Sequence, residues 1–174
     1  MMDGSAEIAI IGVGNDFRHD DGVGWAVVAQ LRNRALTHPL PAGTRLETCD
    51  GDPGRLLGLW EHTKLSVVLD AAHADPPHPG RIHRLELDSA QLGTAGATSS
   101  HGLGLGEAIE LSRVLGRLPG RLVVYAVEGA DRTVGSGLSG PVAAQVVPLA
   151  NHVGEEIARF RSERTADPPR RSGS

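Results

Sequence analysis

Three nearly continuous apolar runs, residues 7–13 (EIAIIGV), 65–69 (LSVVL) and 122–127 (LVVYAV), restrict this chain more than any other feature. They are short and lack the alternation of a strand with one wet face, so each reads as a strand buried on both sides. Such strands need helices above and below, and the connections between them then become crossovers of a mostly parallel sheet. With aromatic residues at only 3%, the core has to be built from Val, Leu, Ile and Ala, the usual filling of covered parallel sheets.

The intervening segments fit that scheme. In 22–34, Trp25, Val28, Ala29 and Leu31 recur at helical spacing, and Pro39 and Pro41 forbid continuation. Residues 44–49 read as a strand, 56–60 as a short helix, and 81–87 as an edge strand with imperfect alternation. A helix over 103–115 follows the capping cluster Thr98, Ser99, Ser100, and 141–160 reads as one long closing helix. The expected fold is α/β, a three-layer sandwich with a twisted, mostly parallel central sheet of about five strands and helices on both faces. Residues 1–160 are expected to form a single α/β domain, and the polar segment 161–174, with two adjacent prolines, a disordered tail.

Charge and cysteine usage exclude several functions. The formal net charge is -4, from 17 basic and 21 acidic residues interspersed along the chain, so no basic face suits nucleic acid or an anionic membrane. One cysteine, Cys49, allows neither an internal disulfide nor a paired-thiol metal or redox motif, and burial is its default reading. Without a signal-like N-terminus or a membrane-length apolar run, the expectation is a soluble, cytoplasmic protein.

Ligands of open parallel sheets bind beyond the carboxyl ends of the strands, so the residues that follow each strand are the first candidates. After the first strand stands Gly12-Val-Gly-Asn-Asp-Phe-Arg-His-Asp-Asp-Gly-Val-Gly24. A dinucleotide fingerprint would need a third glycine where Phe17 stands, and the acids of this loop would repel a pyrophosphate. Asp20 or Asp21 is the better candidate, although an aspartate at a helix entry is often only an N-cap. The segment by itself leaves open which of the two caps and which faces a ligand.

Asp70 directly follows the run 65–69, and His101 stands where a helix begins, a position that favours a neutral imidazole. A strand-end aspartate is often a turn former and a lone histidine a surface residue. Three donors of metal-ligand type on one rim weigh the other way. Two carboxylates and one imidazole suit nickel, zinc, cobalt or manganese, with coordination positions left open for water or a partner's ligands. His73, His78 and His83 share no face of a regular element and read as solvated loop residues. Neither H-E-x-x-H nor G-x-S-x-G occurs, and Ser136 and Ser139 lie in a Gly-rich loop without an elbow motif.

The run 12–24 resembles the N-terminal motif of the hydrogenase maturation endopeptidases, G-x-G-N, four residues, D-[D/E]-G-x-G, and matches it throughout. Asp50-Gly51, the VVLDAA segment ending in Asp70-Ala71, and Ser100-His101-Gly102-Leu103 follow in the family's order, so that the resemblance spans roughly 7–160. It implies an α/β endopeptidase, of aspartyl or metal-dependent type, that trims a C-terminal extension from the large-subunit precursor of a nickel-iron hydrogenase after nickel insertion. It further implies that Asp21, Asp70 and His101 bind the metal and carry the catalysis, the metal being nickel brought by the substrate.

Family members commonly read D-G-G-T after the second strand, in a loop linked to substrate choice. This chain has Asp50-Gly51-Asp52-Pro53-Gly54, with a proline that removes an amide donor. The change bears on which hydrogenase is processed more than on the activity. Three other readings remain to be separated by experiment: a non-catalytic metal-dependent chaperone of the immature subunit, a peptidase with its own resident metal, and a nucleotide-binding module.

Overall fold

The computed structural model describes residues 6–94 and 105–166. Five strands form one sheet in the order β2-β1-β3-β5-β4. Strands β1 (Ile8–Val13), β2 (Thr44–Cys49), β3 (Leu65–Ala72) and β5 (Arg121–Glu128) run parallel, and β4 (Ile82–Asp88) closes one edge antiparallel to β5. Every residue of β1 is buried, and so are seven residues of β5, Leu122 to Glu128, as continuous apolar runs require.

Two apolar clusters sandwich the sheet. Helices α1 (Val23–Ala35) and α6 (Val146–Ala166) cover one face, packing Val27, Val28, Leu149, Val153 and Ile157 on Ile10, Val67 and Leu69. Helices α2 (Pro53–Trp60) and α4 (Gly106–Leu115) cover the other, with Leu56, Trp60, Ala108 and Ile109 against Ile11, Val68 and Val124. The short α3 (Ser89–Leu92) follows the edge strand and is held by a capping box between Asp88 and Gln91. The three-layer α/β sandwich expected from the apolar runs is the fold observed.

Three elements differ from the sequence reading. The closing helix is broken: α5 (Gly140–Ala143) stops, and α6 starts at Val146. Pro148 explains the break, because its ring would clash with the carbonyl of residue 144 and it has no amide to donate there. Helix α6 also runs on to Ala166, six residues into the segment expected to be a disordered tail. Its last turns are tied down by Glu163 to Arg121 at 2.9 Å and Arg164 to Glu7 at 2.8 Å. Finally, α2 begins at Pro53 rather than at 56, capped by Asp52, whose carboxylate accepts from the Arg55 amide at 2.9 Å.

Candidate functional site

The order of the strands fixes where a ligand can sit. From β1 the chain crosses to β2 on one side, while β3 lies on the other, so the carboxyl ends of β1 and β3 diverge at a topological switch point. The loop after β1 folds back over this point as a 3-10 turn, His19–Gly22, that leads into α1. Two glycines make that close return feasible. A side chain on Gly24 would collide with the Leu69 carbonyl, and one on Gly14, at φ 140°, with the Asp21 carbonyl. The glycines of this motif therefore serve packing of the helix entry onto β1 and β3, a role that needs no phosphate.

The adjacent acids have separate roles, and neither caps α1. Asp20 is fully buried and accepts from the Ala130 amide at 2.7 Å, the Asp131 amide at 3.0 Å, and the Ser139 amide and hydroxyl at 2.7 and 2.8 Å. Burial pushes its pKa up, but these bonds outweigh burial and hold it below the usual aspartate range. Asp20 thus fastens the 129–139 loop to the β1 loop. Asp21 accepts from the Asn15 amide at 2.9 Å and faces a cleft of about 550 Å³ that it lines with Arg18, His73, Arg132 and Thr133.

Asp70 sits beside it. Strand β3 does not end at Leu69 but pairs with β5 as far as Ala72, whereas its pairing with β1 stops at Gly12 and Leu69. Asp70 is therefore the first β3 residue beyond the pairing with β1. Among the described residues its one hydrogen bond is from the neighbouring Ala71 amide, at 2.8 Å. Burial, and then the charge of Asp21, push its carboxyl up to about 7.

Asp21 lines the cleft and its charge reaches Asp70, which is withdrawn from water and short of donors among the described residues, so the two carboxylates favour a shared proton or a cation between them. The donor chemistry thus fits a divalent metal, with Asp21 and Asp70 as its oxygen ligands. His101 lies outside the described residues. Among the described residues no three His, Cys, Asp or Glu side chains converge as a complete metal site.

The other candidates fall as follows. Asp50, Gly51 and Asp52 lie at the end of β2, beside β1 through the Gly14 amide, which donates to the Cys49 carbonyl at 3.0 Å. Asp50 accepts from the Asp52 amide at 3.1 Å and Asp52 caps α2, so both carboxylates have local structural work. Pro53 occupies the first helical position, where no amide donor is needed. Cys49 is buried, and burial raises its thiol pKa.

His73 and His78 are exposed loop residues as expected, whereas His83 is exposed but lies on the edge strand. His73 lines the cleft, its pKa lowered first by burial and then by Arg132. His83, on the edge strand, donates to the buried Glu128 carboxylate at 2.7 Å, which also accepts from the His78 amide at 3.0 Å. The strand-to-loop position of His73, three residues past Asp70, was the available signal once β3 is carried to Ala72. Arg132 had none, because its loop is brought to the cleft by bonds to distant residues, to Asp20 and to the backbone of Phe17 and His19.

Comparison with known proteins identifies the family and the fold. A family model described as hydrogenase maturation protease matches residues 49–156. The chain is 26% identical over 148 residues to the hydrogenase 2 maturation protease of Escherichia coli strain K12, covering 84% of this chain and 87% of that one. Among solved structures, the hydrogenase maturating endopeptidase HybD from E. coli superposes with a TM-score of 0.69 at 25% identity, covering 88% of this chain and 93% of that one. A hydrogenase 2 maturation peptidase from a Thaumarchaeota archaeon shares the fold, with a TM-score of 0.63 at 24% identity over 87% of this chain and 98% of that one.

Proposed function

The chain belongs to the hydrogenase maturation protease family and is a peptide hydrolase; from that premise we propose that its substrate is the large-subunit precursor of a nickel-iron hydrogenase. It removes the precursor's C-terminal extension after nickel insertion and uses the inserted nickel as its recognition signal. The observation that carries this reading is the pairing of Asp21 with Asp70 at the switch point, where a carboxyl raised to about 7 and short of donors is suited to a cation arriving with the substrate. The free, buried Cys49 and the lack, among the described residues, of a helix long and apolar enough to cross a membrane fit a cytoplasmic enzyme.

In this mechanism Asp21, Asp70 and His101 hold the nickel of the precursor, with open positions filled by the precursor's own ligands. Holding the metal holds the scissile peptide beside the two carboxylates, and positioning of this kind is worth on the order of 7 kcal/mol or more in favourable cases. Such a metal would supply polarisation of an attacking water, and Asp21 or Asp70 would take the proton that this water loses. Asp20 is unsuited to that role, since both of its oxygens already accept hydrogen bonds.

Incubation with a nickel-loaded precursor, following precursor mass with Asp21→Asn and His101→Ala beside the wild type, tests the reading. Loss of a C-terminal peptide only with wild-type protein and nickel is the expected result. Nickel-dependent binding without cleavage would instead indicate a chaperone of the immature subunit.

A further inference from the structure

One wall of the cleft carries two large apolar side chains in water. Phe17 is 70% and Val134 77% exposed, although each lies next to a residue that lines the cleft, Arg18 and Thr133. They are also neighbours across a backbone pairing. Arg18 and Gly135 form a parallel bridge, which puts Phe17 opposite Val134, and the Gly135 amide donates to the Phe17 carbonyl at 2.8 Å.

This wall is fixed rather than loose. The His19 amide donates to the Gly135 carbonyl at 3.0 Å, the His19 ring contacts the Gly137 carbonyl at 3.0 Å, and Asp131 accepts from the Thr133 amide and hydroxyl at 2.9 and 2.7 Å. Asp20 clamps both ends of the 129–139 loop. A rigid scaffold that holds a phenylalanine and a valine side by side in water has no folding reason to do so, because their burial would stabilise the fold.

The cleft side of the same wall carries two arginines. Arg18 and Arg132 line the cleft with Asp21, and neither forms an ion pair with a carboxylate among the described residues. Their guanidinium donors are available to an incoming acid.

We propose that the Phe17–Val134 shelf and the Arg18–Arg132 pair are the docking surface for the body of the substrate protein. The shelf takes an apolar patch of that protein, and the arginines take an acidic side chain of the segment that enters the cleft. This rests on the reading of the cleft as the processing site and adds to it what selects the partner. A folded protein whose chain end reaches Asp21 and Asp70 must cover the rim of the wall, whereas a short peptide bound in the cleft need not. An acid in the entering segment also complements a cleft whose arginines lie beside the metal-seeking carboxylates. The shelf thereby separates recognition of the whole precursor from recognition of its metal.

The test measures binding of the nickel-loaded hydrogenase large-subunit precursor and its cleavage in parallel, for wild type, Phe17→Ser/Val134→Ser, and Arg18→Gln/Arg132→Gln. All four positions are on the surface, so the thermal midpoints of the variants should stay within about 2 °C of wild type. Each double variant is expected to weaken precursor binding at least about tenfold, the effect typical of central contacts in an interface. It should raise KM to match while kcat at saturating precursor stays within about twofold. The loss from the arginine variant should shrink with added salt and that from the shelf variant should not. Wild-type cleavage with unchanged binding by both variants would overturn the docking surface and leave the protease reading intact. Binding lost in the variants, from a wild type that binds but does not cleave, would keep the docking surface and overturn the protease reading. A wild type that neither binds nor cleaves the precursor would overturn both.

Discussion

Asp20 is fully buried and receives four hydrogen bonds, while Asp70, at the same end of the sheet, receives one among the described residues, from the amide of its own neighbour. Burial raises the pKa of both. In Asp20 the surrounding amides and hydroxyl reverse the effect, whereas at Asp70 the charge of Asp21 adds to it, and the carboxyl rises to about 7. The same residue type is thus a finished structural anchor in one place and an unfinished site in the other. What separates them is whether the fold itself supplies the donors or leaves that to a ligand.

The contrast is tested most severely at the anchor. Asp20→Ala should leave four donors facing each other without an acceptor and cost roughly 3–5 kcal/mol, the range for removing one side of a buried charged network. Asp20→Asn should cost less, about 2 kcal/mol, because its amide group can replace only one of the two accepting oxygens. Urea titration of both variants measures this. The sign of the pH dependence follows from the lowered pKa: the folded state binds fewer protons, so the advantage of wild type over Asp20→Asn is full above about pH 4 and shrinks as acid approaches the folded value. A wild-type advantage that persists unchanged at low pH would show that Asp20 is held by something other than its charge.

Asp70 should behave in the opposite way. With its folded pKa raised to about 7, the native state binds the extra proton, and stability is lost as pH rises from the ordinary aspartate value through about 7. In metal-free protein at pH 8, Asp70→Asn is therefore expected to be more stable than wild type by on the order of 2 kcal/mol, with the gap closing below about pH 4. The same variant should lose precursor cleavage by at least about a hundredfold, the usual scale for a proton-transfer or ligand group. A variant that gains stability as it loses activity is the mark of a site kept unsatisfied for function. Equal stability of the two proteins at pH 8 would break the comparison.

The contrast between the acids explains what could be read from the sequence. Buried strands betray themselves by continuous apolar residues, so residues 7–13, 65–69 and 122–127 placed the sheet, and with it the rim that carries Asp21 and Asp70. The roles of Asp20 and Asp21 were not separable, because the bonds that bury Asp20 come from residues 130–139, more than a hundred positions away. Arg132 and Val134 reach the wall through those bonds and through the backbone pairing of Gly135 with residues 17–19, and left no local trace. His73 is the exposed loop residue that the sequence suggests, but its place at the cleft was not legible while β3 was taken to stop at an aspartate, since pairing with β5 carries the strand to Ala72. The break at 144–145 was legible in Pro148, and the reach of α6 to Ala166 in its run of Arg and Glu, both good helix formers.

Glu156 offers the mildest test of the contrast, as a third carboxylate withdrawn from water. It accepts from the Arg84 guanidinium at 2.7 Å and from the Tyr125 hydroxyl at 2.6 Å, joining β4 and β5 to α6. Burial raises its pKa, but these partners outweigh burial and leave it below the glutamate range, so Glu156 belongs with Asp20 rather than with Asp70. Tyr125→Phe removes one of the two donors and leaves the ring packed in the core, so the carboxylate keeps its arginine. The expected cost is about 1 kcal/mol by urea titration, with precursor cleavage unchanged because this network lies on α6 and not at the β1–β3 cleft. A loss of cleavage beyond what the lower stability explains would mean that a satisfied carboxylate far from the cleft still bears on it, and the division between anchor and site would then fail.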